Sequence, residues 1–175
     1  QAGPHDGSSD FESALTALTG PGRIVVKSAG NDRGVPRHAQ TLATAGGAPI
    51  TLSVTGSTVG RALYVDGFYG PTENVSVTVS TPGGTVIGPV TLGNRNAPPP
   101  GQDTPNGRVY LENGIVTTGS GARSIEFEVA AETGDNLNGI WTLTFTAVVL
   151  GSGNGEVDLW RWAVDSPLSA NFVTG

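Results

Sequence analysis

Apolar and polar positions follow two different periods along this chain. Phe11, Ala14, Leu15 and Leu18 recur at i, i+3, i+4 and i+7, the stripe of an amphipathic helix. Ser9 and Glu12 have capping-box spacing ahead of it, and Gly20-Pro21 supplies the stop. Ile24-Val25-Val26 follows as an unbroken apolar run, the pattern of a short strand covered on both faces. Helix then strand is half of a βαβ unit. From about Ala48 the helical period gives way to alternation. Ile50, Leu52 and Val54 share one face; so do Val75, Val77 and Val79, and Ile125, Phe127 and Val129. In "IWTLTFTAVVL", Trp141, Leu143, Phe145, Ala147 and Val149 fall on one side and threonines on much of the other.

Turn signals punctuate these runs. Pro82-Gly83-Gly84 and "GSGNG" (151–155) read as turns, and Asn113-Gly114 between "RVYLE" and "IVTTG" predicts a hairpin. The stretch 93–107 reads as a long Pro-rich surface loop. Roughly eight or nine short strands at this spacing predict an antiparallel β-sandwich over 48–165. Its core should hold Val77, Phe127, Trp141, Leu143 and Phe145. The first segment buries too little to fold alone. Its apolar residues should therefore be covered by the sandwich, by the segment near Phe172, or by a second copy of the chain.

Composition narrows the function classes. A length of 175 residues suits one domain, or one domain with part of another. Gly 27 and Pro 12, with only 14% charged residues, mark an ordered, turn-rich chain. The net charge of -6 and scattered basic residues give no footprint for nucleic acid and no polybasic membrane patch. No apolar run approaches the roughly 20 residues of a membrane span. With no cysteine, thiol catalysis, disulfides and Cys-ligated zinc are excluded, and two histidines exclude most His-based zinc sites. Secreted bacterial proteins often lack cysteine, and that setting is slightly favoured. Side-chain oxygens cluster in "DRG" (32–34) and "GDNLNG" (134–139). Calcium accepts such ligands, but ordinary Asx turns are the stronger reading, and no cofactor is expected.

The stretch "GPHDGSS…FESALTAL…GPGRIVVKSAGNDRG…RHA" (3–39) resembles the middle of a subtilisin-like serine peptidase. In that family a helix leads into a strand ending in Ala-Gly-Asn. The "HDGSS" and "HA" flanks resemble, more narrowly, the clostridial spore-germination subtilases, in which a jelly-roll domain is inserted between the oxyanion asparagine and the catalytic serine. The alternating segment fits such an insert, and "VDLWRWAVDSPLSANFVTG" resembles a return into the catalytic domain. "GIWTLTFTAVVLGSGNGEVDLWRW" also resembles the last hairpin of the proprotein-convertase P-domain.

The resemblance implies three parts: 1–40, a helix–strand remnant of the peptidase domain; 41–165, a jelly-roll insert; and 166–175, the return. The fold class expected is thus mainly β, a jelly-roll sandwich preceded by that remnant. It also implies that Asn31 is the oxyanion-hole donor in a parent endopeptidase. The Asp-Ser/Thr-Gly, His-Gly-Thr and Gly-Thr-Ser motifs of the triad are missing from this sequence. The chain is therefore expected to be an internal, inactive fragment, with the rest of the peptidase domain as its partner and protein as the parent's substrate. A homodimer is a further expectation.

Other residues have plainer readings. Without the resemblance, Asn31 is a turn residue beside Gly30. His5 precedes the wrong helix for a catalytic base. His38 reads as a loop residue that holds the segment after Asn31. Ser8, Ser9 and Ser28 lie on no nucleophile elbow, and Ser9 serves as a cap. Trp141 belongs to the core; Trp160 and Trp162 share one face, with Leu159 opposite, and suit core or interdomain packing. The competing function is a carbohydrate- or surface-polymer-binding sandwich. That would require exposed coplanar aromatics over a shallow acidic groove. A third reading is a purely structural interaction domain with a bare apolar face.

Overall fold

The structure is a computed structural model, and it describes residues 7, 9–26, 34–56, 59–117, 119–164 and 168–173. One helix, α1 (Asp10–Leu18), precedes the strands β1 (His38–Leu42), β2 (Ala48–Thr55), β3 (Ala62–Tyr69), β4 (Asn74–Ser80), β5 (Val86–Val90), β6 (Asn94–Arg95), β7 (Gln102–Thr104), β8 (Gly107–Thr117), β9 (Arg123–Ala130), β10 (Gly139–Val149), β11 (Glu156–Val164) and β12 (Ser169–Phe172). The larger sheet runs β1-β11-β3-β9-β8-β6, with β7 also on β8; the smaller runs β12-β2-β10-β4-β5. Every named strand pairing is antiparallel. The chain crosses between sheets at most connections, winding a jelly-roll-type β-sandwich.

Alternation builds this interior. β2 buries Ile50, Leu52 and Val54, β4 Val75, Val77 and Val79, and β9 Ile125, Phe127 and Val129. All five core residues expected from the sequence are fully buried. The Trp141 and Phe127 rings meet at 5.9 Å, tilted by 56°, and join the two sheets. The indole N–H donates to the Leu137 carbonyl at 2.9 Å, which pairs the ring's polar atom inside the core.

Several local expectations are corrected. The run 93–107 is not all loop, because β6 and β7 both pair with β8. Twelve strands are therefore present among the described residues, counting these short ones. The Ala147–Val149 alternation breaks at a bulge against β4, and Val149 is left exposed. Asn113-Gly114 makes no hairpin. It lies inside β8, where Gly114 takes a left-handed φ of 64°. Asn113 is completely buried there, and the pairing of β8 with β9 shifts just beyond it.

The helix forms as expected. Ser9 and Glu12 complete the capping box, and the C-cap is Thr19. None of its residues is buried; Phe11 is 52% exposed and Leu18 58%. Ile24 and Val26 are 88% and 89% exposed, and 24–26 pairs with no strand among the described residues. The expectation that the sandwich or the Phe172 segment would cover these residues is thus overturned. The reason is geometric. β12 adds to β2, and Phe172 points into a core that is already filled. Ser9→Ala should accordingly melt α1 by the usual cap loss of about 0.5–2 kcal/mol. The amide shifts of residues 10–18 should move toward coil while the sandwich's thermal midpoint stays unchanged. A lowered midpoint would mean that the helix packs on the sandwich in solution.

Candidate functional site

Asn31, the proposed oxyanion donor, lies outside the described residues, as do Gly30, Ser28, Ser8, His5 and most of "DRG". The Trp162 side chain lies outside them too. Ser9 is engaged by Glu12, its Oγ 2.7 Å from Oε2. His38 is not in a loop but opens β1. Its Nε2 sits 2.8 Å from Asp158 Oδ1, which also accepts from Gln40 Nε2 at 3.1 Å. The imidazole stacks on Trp160 at 4.8 Å and 25°. One face of Trp160 is therefore taken, while Trp141 is in the core and Leu159 is buried opposite, as expected. The oxygens of 134–139 form turns: Asp135 accepts from the Glu132 amide and Asn136 from the Asn138 amide. Among the described residues no group of three or more His, Asp or Glu is arranged to hold a metal ion.

An open cleft of about 320 Å³ lies between the β3–β4 turn and the loop before β11, lined by Phe68, Pro71, Glu73, Asn154, Glu156 and Asp158. Glu73 is 3% exposed. Its two carboxylate oxygens accept from the Gly70 amide at 3.1 Å and the Gly155 amide at 2.8 Å. It therefore clamps one loop to the other. The cleft is acidic but mostly apolar in its lining, and Phe68 lies 6.1 Å from Trp160 at its margin. Its position was not readable from the sequence, because Glu73 and Gly155 meet only through the fold. The outward carboxylates in "EVDLW" and "SIEFEVA" were the available signal for an acidic face.

Two packed antiparallel sheets with this strand order define a β-sandwich of the jelly-roll type. The same fold occurs in the CspB protease of Clostridium perfringens, on which this chain superposes with a TM-score of 0.77, covering 99% of this chain and 35% of that one, at 17% sequence identity. The likeness is one of fold, and this chain spans about 35% of that protein's length. No protein-family model matches the sequence. No curated protein matches it either.

Proposed function

We propose that this chain is an accessory β-sandwich of a subtilisin-like serine endopeptidase, carrying part of that enzyme's oxyanion strand and no triad of its own. The superposition on a protease over 99% of the chain carries the reading. The subtilase-like motifs of residues 3–39 support it independently. In this reading 1–40 belongs to the peptidase domain, 41–165 is the insert and 166–175 is the return. The rest of the peptidase domain covers Phe11, Leu18, Ile24 and Val26, which stand exposed here. Asn31 donates to the oxyanion that forms when a serine attacks a peptide carbonyl. Such a donor matters because it stabilises charge that develops only in the transition state. The carbohydrate-binding alternative gains nothing from Trp141, which is buried, or from Trp160, which is stacked on His38.

The test has two arms. The chain by itself should hydrolyse no peptide and take no label from a fluorophosphonate probe. In the complete peptidase, Asn31→Ala should lower kcat about 100- to 1,000-fold with KM little changed; the best-known example of that magnitude is itself a subtilisin. Labelling of a serine in this chain, or full kcat in the variant, would overturn the reading. A dimer of the chain by light scattering would identify a second copy as the cover for the apolar residues.

A further inference from the structure

On the outer face of the larger sheet the register lines up one residue from each of six strands: His38, Trp160, Asp66, Glu126, Glu112 and Arg95. The middle of this row is three carboxylates on adjacent strands, each directly opposite the next. Like charges so placed repel and weaken a sheet. Burial makes the repulsion stronger. Glu112 is only 7% exposed and accepts from the Tyr110 hydroxyl. Pro99 and Pro100 stand beside Tyr110, Glu126 and Glu128 across an open cleft; Glu128 is half-buried there and Glu126 exposed.

We propose that this row is a proton-responsive device: as pH falls, protonation of Asp66 and Glu126 relieves the repulsion and tightens the sandwich, and neutral pH loosens it. The reading stands apart from the peptidase proposal and holds whether or not that one does. Burial, then the charges of Glu112, Asp66 and Glu128, holds the Glu126 carboxyl above its ordinary range. Burial chiefly does the same to Asp66. The other charged or titratable groups facing the row are Tyr64 on β3, Asp158 on β11, His38 on β1, Tyr110 and Arg108 on β8, and Arg95 on β6. Arg108 is bound to Asp103 and Glu132 and so does not offset the central three carboxylates; Asp158, itself a carboxylate, is bound to His38 and Gln40.

A carboxyl whose pKa rises on folding takes its proton in the folded state while the unfolded chain is still ionised. Stability therefore climbs as pH falls through the folded pKa, and levels off near the ordinary carboxyl range of about 4. The experiment is thermal unfolding of the whole chain at low salt from pH 7.5 to 5, wild type against the double variant Asp66→Asn/Glu126→Gln. The variant should melt about 2–4 °C higher at pH 7.5, a gap that narrows as pH falls. Carboxyl-carbon NMR titration of the wild type should show both midpoints above the ordinary range, and it decides the matter if the variant fails to fold. A gap independent of pH, a variant that melts below wild type at pH 7.5, or ordinary midpoints would overturn the proposal.

Discussion

Trp141→Ala should cost the sandwich about 3–5 kcal/mol, against total stabilities of about 5–15 kcal/mol for domains of this kind. The side chain is completely buried, packs against Phe127 from the opposite sheet, and stands opposite Leu52 of β2 near the start of β10. Its removal leaves a cavity that the packed core around it cannot fully collapse into. It also strands the Leu137 carbonyl, which now accepts from the indole at 2.9 Å. Phe is the informative second variant. It fills most of the volume but lacks the N–H, so Trp141→Phe should recover much of the loss and leave a residual of about 1–3 kcal/mol for the unpaired carbonyl. Urea unfolding followed by circular dichroism measures both. An alanine variant within 1 kcal/mol of wild type (roughly the size of an ordinary surface change) would mean that this core position is more plastic than its packing implies.

The part of this fold that sequence made legible is the part that depends on neighbours two residues apart. Leu52 and Val54, or Leu143 and Phe145, announce a buried face by alternation alone, and all four are fully buried. What depends on partners far along the chain was hidden. Asp66, Glu126 and Glu112 meet through strand register, which no single strand encodes. The 24–26 run is apolar enough for a core strand, yet nothing local says that the sandwich leaves it exposed. Val149 keeps the alternating rhythm but falls beyond a bulge that turns its face to solvent. Of the candidate site, the Ala-Gly-Asn motif was legible only through a family resemblance, and Asn31 lies outside the described residues. His38 was misplaced in a loop because its β1 partner strand begins more than a hundred residues later.

Asn113 is the case where a local signal and the tertiary fold disagree, and it supplies the second large effect. Asn-Gly is a strong hairpin dipeptide, but here the asparagine faces inward from β8 and bridges the sheets. Its Nδ2 donates to the Val75 carbonyl at 2.7 Å and the Val90 carbonyl at 2.9 Å, both on the smaller sheet. Its Oδ1 accepts from the Tyr69 hydroxyl at 2.8 Å. Asn113→Ala would leave two carbonyls and one hydroxyl buried and unpaired. At about 1–3 kcal/mol for each such group, and less than additively, the expected loss is about 3–5 kcal/mol. Tyr69→Phe alone should cost only about 1 kcal/mol. Made in the Asn113→Ala background, it should be neutral or stabilising, because it removes a hydroxyl that has lost its acceptor. That change of sign distinguishes a hydrogen-bonded clamp from simple packing. The same pair sets an alkaline limit. Burial, foremost among several influences, pushes the Tyr69 phenol from 10.0 up to about 12. Its contribution is complete below pH 10 and disappears as pH rises toward 12, since the unfolded chain ionises first. Wild type should thus lose stability over that interval more steeply than Tyr69→Phe. If Asn113→Ala were tolerated with less than 1 kcal/mol lost (a typical single neutral bond), or the cycle with Tyr69→Phe were additive, the two sheets would be held by apolar packing alone.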